Sequence, residues 1–169
     1  MTADYTIRFA TKSDVGTILQ LIRELAEYEK LGHEVVATEK ILNKTMFGRR
    51  KYGECLIAEA DGKPVGFALF YPRVSTFHGK PYMWVEDIFV KPQYRGGGIG
   101  AELFAQLSQI AQKRDYPRIE WWVLDWNKAS IEFYHRTLKA VPQTDWTVQR
   151  MDRPQIVEMA AKVTRPLKL

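Results

Sequence analysis

At 169 residues the chain has the length of one domain, and 46% hydrophobic with 27% charged residues is ordinary for a folded soluble protein. The net charge of +5 at pH 7 is scattered along the chain with no basic-aromatic cluster, which argues against nucleic acid and suits a polyanionic cofactor. The single Cys55 rules out an internal disulfide and fits a core strand; no apolar run approaches the ~18 residues of a membrane span, and MTADYTIRFA lacks the regions of a signal peptide, so a cytoplasmic location away from membranes is expected.

Tyr5 to Phe9 reads as a short strand. From Ser13 the pattern is helical, with Val15, Ile18, Ile22, Leu25 and Tyr28 at three- and four-residue spacing, Thr11 or Ser13 as the N-cap and Gly32 as the stop. Thr38 to Phe47 predicts a second, shorter helix. Glu54 to Ala60 and Pro64 to Ser75 are strands joined by the turn dipeptide Asp61-Gly62, and Tyr82 to Val90 is a third strong strand. Gly100 to Arg114 is helical with Leu103, Leu107 and Ile110 on one face. Ile119 to Leu124 predicts a buried strand, Lys128 to Leu138 a helix, Trp146 to Met151 a last strand and residues 155–163 a short terminal helix. With no repeat or linker, residues 1–169 read as a single α/β domain around a mixed sheet.

The most informative stretch is Gln93-Tyr-Arg-Gly-Gly-Gly-Ile-Gly100, which follows a strand and opens a helix. Clustered glycines let the backbone take positive φ and approach a ligand with no Cβ in the way. The free N–H groups of the following helix, backed by its dipole, then face the same space and form a pyrophosphate cradle. A Walker loop is excluded because Ala101 follows Gly100, and the spacing and mid-chain position do not fit a dinucleotide fingerprint.

Arg95-x-x-Gly98-x-Gly100 resembles the Q/RxxGxG/A signature of the GNAT N-acetyltransferases. Glu24-Leu-Ala-Glu-Tyr-Glu29, Val85-Glu-Asp-Ile-Phe-Val90 and Phe133-Tyr134 look like the spermidine/spermine branch of that family, and Leu124-Asp-Trp-Asn127 is similar to its thialysine acetyltransferases. The resemblance spans about residues 5 to 150. It implies a mostly antiparallel sheet flanked by helices, with a bulged, splayed central strand, and acetyl-coenzyme A as co-substrate. It further implies that backbone groups of Ile88, Phe89 and Val90 pair with the pantetheine arm. By the same analogy Arg95, Gly96, Gly97, Gly98, Ile99, Gly100 and Ala101 hold the pyrophosphate, and Asn127, Lys128, Ala129 and Ser130 touch the cofactor.

The chemistry needs a neutral amine and a proton for the leaving thiolate. Glu86 and Asp87 interrupt an apolar strand, where two adjacent charges are costly unless a bulge or cleft receives them. Glu86 is the expected general base and Asp87 an amine-binding acid. Tyr134, placed by the family pattern early in the helix after Asn127, is the expected general acid; Asn127 is also a good N-cap. Tyr28 and Glu29 match the family's amine-binding pair, and Glu120, Trp121, Trp122 and Asp125 add walls and negative charge suited to a cation. The family's FYxxLGA reads here Phe133-Tyr-His-Arg-Thr-Leu-Lys-Ala140, one residue longer and with Lys139 in place of a capping glycine. A rearranged helix end is therefore expected, with Asp145 standing in for a later substrate acid. His33, His78 and His135 have no ligand spacing, so no metal is expected. The expected substrate is a small cationic amine, a polyamine, diamine or lysine-like amino acid, attacked in a ternary complex, and the family implies a homodimer. The competing readings are acetylation of a protein N-terminus or lysine, and a non-catalytic coenzyme A sensor.

Overall fold

The computed structural model describes residues 4–165. Five strands lie in one sheet in chain order, β1 (Tyr5–Phe9), β2 (Glu54–Ala60), β3 (Lys63–Ser75), β4 (Lys80–Val90) and β5 (Ile119–Trp121). The first four are antiparallel and β5 joins β4 in parallel. Asp61 (φ 51°) and Gly62 (φ 69°) make the tight turn between β2 and β3, both in the left-handed region that matches strand twist.

Alternation along β2 to β4 sorts the core into two layers. On one face Cys55, Ile57, Phe67 and Phe89 meet α1 (Val15–Tyr28) and α2 (Glu39–Phe47) through Ile18, Leu21 and Met46. On the other, Leu56, Phe70, Met83 and Val85 meet α3 (Ile99–Lys113) through Leu103 and Leu107, with α4 (Lys128–Arg136) alongside through Phe133 and Tyr134. Cys55 is buried as expected, and that burial pushes its thiol well above the ordinary range.

Several boundaries differ from expectation. Thr11 and Ser13 do not cap α1; Thr11 precedes and Ser13 lies within a short 3₁₀ turn, Lys12–Asp14, that leads into it. α1 stops at Tyr28 because Lys30 (φ 64°), not Gly32, turns the chain left-handed. At Gly32 the Glu27 carboxylate folds over the space a Cβ would take, a contact that this exposed, flexible side chain could give up. β5 ends at Trp121 rather than Leu124. α4 ends at Arg136, and Lys139 itself takes the left-handed position (φ 57°) while the Ala140 N–H returns to the Tyr134 carbonyl. A left-handed residue thus ends the helix without glycine, but the closing bond spans six residues where the caps at Lys30 and Asp115 span five (Leu31 to Ala26, Tyr116 to Ala111), so the helix end is rearranged around the extra residue.

Trp146 to Met151 forms no strand. β5 offers an edge only three residues long, and residues 141–152 run outside the sheet with Trp146 77% exposed. The terminal helix α5 (Arg153–Ala160) begins two residues earlier than expected.

Where β1 meets α1, Arg8 donates to both carboxylate oxygens of Asp14 at 2.9 Å and to Glu59 at 2.7 Å, and Asp14 also accepts from the Thr11 N–H and hydroxyl. The Arg8 guanidinium holds the Asp14 carboxyl far below the usual carboxylate range. A depressed folded value means this stabilisation is present above the unfolded pKa of about 3.9 and is lost as pH falls through the lower folded value. Asp14→Ala is expected to cost about 1–3 kcal/mol in urea unfolding at neutral pH. The gap from wild type should stay level down to pH ~4 and narrow below it.

Candidate active site

The site begins with a register fault in β4. Leu69 of β3 sits opposite Asp87 and the next residue, Phe70, opposite Val85, so Glu86 is an extra residue with no partner across the strand pair. The bulge leaves Glu86 and Asp87 on the α1 side of the sheet together, which strict alternation forbids. Below the bulge β4 also pairs with β5, up to Val85 opposite Trp121; above it that pairing stops and a gap opens.

Above Val85 the edge of β4 lining the gap has no partner strand, and of its outward groups the Val90 carbonyl accepts from Arg95 Nε. The Lys91 N–H bonds the Val65 carbonyl at 2.8 Å, and antiparallel alternation then turns Phe89 toward Phe67 while Ile88 and Val90 turn their backbone groups outward. Ile88 and Val90, rather than Phe89, are therefore available to an extended ligand. At the upper end, Gly96 (φ 81°) and Gly98 (φ 90°) hold the turn into α3, whose first N–H groups have no side-chain cap. No atom lies within 4 Å of a Cβ built on Gly96, and Gly97 meets only the Tyr94 carbonyl, at 3.8 Å. Ile99 is buried as the first residue of α3, with Gly100 and Ala101 in its first turn. An outward-facing strand edge that leads to an uncapped helix start fits a pantetheine arm ending in a diphosphate.

Glu86 is exposed yet fixed. Its Oε2 accepts from the Tyr71 hydroxyl at 2.7 Å and from Trp84 Nε1–H at 2.9 Å, which leaves Oε1 free. Asp87 is half-buried; burial first, then the charges of Glu86 and Glu29, pushes its carboxyl up to about 7. Burial also raises Glu29, at the end of α1. Tyr134 reaches the gap from α4, packed against Trp121 (5.1 Å) and Phe104 (5.9 Å). Burial pushes its phenol up to about 12, against a hydrogen bond with Ser130, and the nearby Glu29 and Tyr28 raise it further. Tyr134 thus keeps its proton throughout the neutral range.

Asn127, 7% exposed, caps α4: its Oδ1 accepts from the Ser130 N–H at 3.3 Å and from the Tyr28 hydroxyl at 3.1 Å. Arg95 Nε donates to the Val90 carbonyl at 2.8 Å, and its guanidinium lies 4.3 Å from the Tyr28 ring centroid. Trp122 stands edge-on to Trp84 at 4.8 Å, which puts it beside Glu86. Glu120 lies 2.6 Å from Arg118, a half-exposed ion pair that offsets part of its charge. Lys128, Ala129 and Asp125 are exposed around the start of α4. Asp145 is not brought to this cluster: it lies in the exposed 141–152 segment and makes no hydrogen bond or ion pair among the described residues.

Sequence reasoning missed Tyr71 and Trp84 as the donors that orient Glu86. The signal for Trp84 was its i, i+2 relation to Glu86 on one strand; Tyr71 needs the cross-strand register, which one sequence does not carry.

Residues 18–139 match the model of the acetyltransferase (GNAT) family. A thialysine N-epsilon-acetyltransferase of Sus scrofa is 39% identical over 171 residues, covering 95% of this chain and 99% of that protein. One from Bos taurus is 39% identical over 167 residues, covering 92% and 97%. Among solved structures, an integron cassette protein from the mobile metagenome of V. cholerae superposes with a TM-score of 0.77 at 23% identity, over 95% of this chain and 98% of that one.

Because the folded pKa of Asp87 lies above its unfolded value of about 3.9, the folded state holds an extra proton between the two. Its contribution to stability is whole below that lower value and is lost as pH rises to about 7. Asp87→Asn is therefore expected to raise the melting temperature by a few degrees at pH ~8, with the gain shrinking toward pH ~4 in thermal scans.

Proposed function

The chain belongs to the GNAT family and is an acetyl-coenzyme A-dependent N-acetyltransferase, and we propose that its acceptor is the primary amine of a small cation. The observation that carries this is the grouping of Glu29, Glu86 and Asp87 on one side of the β4–β5 gap, with Tyr134 entering from the other. A net charge of +5 repels a cation at long range, so attraction has to be local. Partly desolvated carboxylates do this well, because a cation lowers the cost of ionising them. Thialysine and lysine-like amino acids are the favoured substrates, from the 39% identical relatives, with diamines and polyamines next.

Bound acetyl-coenzyme A supplies an activated acyl carbonyl and a thiolate leaving group. Outward backbone groups of Ile88 and Val90 would hold its arm, and the amides from Gly96 to Ala101 its diphosphate. The chain's own residues do the proton work. An aliphatic ammonium with a pKa near ~10.4 must lose a proton before it attacks. Glu86 suits this step: one oxygen is held by two donors, the other is free, and its exposure lets water carry the proton away. Asp87 and Glu29 hold the cation. Tyr134 retains a proton for the leaving sulfur. Amine and cofactor sit in the site together, and transfer is direct.

A homodimer is part of this reading. The 141–163 segment exposes Trp146 (77%), Val148 (56%), Met151 (51%) and Val157 (53%), apolar surface that association would cover. Sedimentation equilibrium is expected to give twice the mass of 19.6 kDa, and a monomer throughout the micromolar range would refute this part. No helix among the described residues is long and apolar enough to cross a membrane, which is compatible with a cytoplasmic location.

Thiol release from acetyl-coenzyme A is to be measured against thialysine, lysine, ornithine, spermidine, putrescine and a basic peptide. Thialysine should react fastest; reaction with the peptide alone would make the protein an acetylator of proteins instead. Tyr134→Phe and Glu86→Gln should each lower kcat by about 10²–10⁴-fold. Near-normal turnover in either would strip that residue of its role.

A further inference from the structure

Tyr28 has little surface left for an amine. Its ring centroid lies 6.4 Å from that of Phe89 and 6.0 Å from that of Trp126, and the Arg95 guanidinium sits 4.3 Å away. Its hydroxyl is committed to Asn127 Oδ1 at 3.1 Å, across 99 residues of sequence. Its ring and its hydroxyl are both engaged by groups that border the gap.

These ties control two donors. Asn127 Oδ1 accepts from both the Tyr28 O–H and the Ser130 N–H, so the carboxamide cannot flip without leaving two donors unpaired. Its Nδ2 donates to no protein acceptor among the described residues. Arg95 is held by Nε on the outward Val90 carbonyl, by the Tyr28 ring at 4.3 Å and more loosely by the Phe89 ring at 5.6 Å, which leaves the terminal guanidinium N–H groups free beside the glycine turn. Without Tyr28, Asn127 keeps only the local bond from Ser130, and Arg95 keeps its bond to Val90 and the more distant Phe89 ring but loses its nearest aromatic contact.

We propose that Tyr28 is a positioning residue on the cofactor side of the site: its hydroxyl fixes the Asn127 carboxamide and its ring holds Arg95 along the open edge of β4, so that both present their N–H donors to one ligand with carbonyl and phosphate oxygens. This rests on the reading that coenzyme A lies along the β4–β5 gap. It departs from the expectation that Tyr28 contacts the amine, and leaves Glu29, one residue on, to do so.

The test is calorimetric binding of coenzyme A itself, which needs no amine and no turnover, with thermal melts to check folding. Tyr28→Phe keeps the ring and loses only the hydroxyl; it should weaken coenzyme A by about three- to tenfold, the worth of one hydrogen bond. The KM for the amine should move less than twofold. In an Asn127→Ala background the same change should add almost nothing, because its route is gone. Tyr28→Leu, which also removes the stack on Arg95, should weaken coenzyme A further than Tyr28→Phe. An unchanged affinity in Tyr28→Phe with a raised amine KM would overturn the proposal and make Tyr28 a wall of the amine pocket. A full loss that persists in Asn127→Ala would overturn it too, as would a wild-type chain that does not bind coenzyme A. Binding with the expected pattern but no transfer to any amine would leave this inference standing and remove the substrate reading alone.

Discussion

The parting of β4 from its neighbour after Val85 is the constraint on which the site depends. A sheet normally satisfies every backbone group of an inner strand, and β4 is inner by position, between β3 and β5. Beyond Val85 it is inner on one side only, because β5 runs out at Trp121. The polar groups of Ile88 and Val90 then face a gap. The bulge at Glu86 acts at the same level along the strand, shifting the register so that two carboxylates follow one another on one face. A single local departure from regular pairing therefore yields both an open hydrogen-bonding edge and an acidic wall.

Two helix ends complete the site, each brought there by burial elsewhere. α1 packs Ile18, Leu21 and Leu25 against one face of the sheet, which carries Tyr28 and Glu29 to the level of the bulge. α4 packs Phe133 on Phe104 of α3 on the other face, with Phe133 3.7 Å from a Cβ built on Gly100, so the start of α4 lies close to the start of α3. The opposite faces of a sheet are ordinarily insulated from each other. Here the gap lets the Tyr28 hydroxyl reach Asn127, and lets Glu29 act on Tyr134.

Much of this was legible in the sequence because it follows from local rules. The turn at Asp61-Gly62, the glycine run, the amphipathic α3 and the Asn127 cap each depend on a few adjacent residues. So does the anomaly of Glu86 and Asp87 in an apolar strand, although only the register with β3 shows that a bulge resolves it. What stayed hidden depends on partners far along the chain, in the Tyr71 bond to Glu86 and the Tyr28–Asn127 bond, or on how near neighbours along a strand turn toward each other, in the Trp84 bond to Glu86 and the Arg118–Glu120 pair. The Trp146 to Met151 strand failed for a related reason. Its alternation fits a strand, but a strand exists only against an edge, and the short β5 gives this chain none to offer it.

The two neighbouring carboxylates differ in a way that assigns their work. Both lie on the bulge, so sequence position separates them by a single residue. Glu86 is exposed and held on one oxygen, an arrangement that keeps it oriented and in contact with water. Asp87 is deeper and shares its field with Glu86 and Glu29, so its ionised form is costly until a positive charge arrives. A group of that kind gains most from binding a cation, since the cation removes the repulsion that raised it. It also makes a poor proton sink once the cation is bound, because the same charge holds its pKa down. The depth difference created by one extra residue in β4 thus separates amine recognition from proton removal.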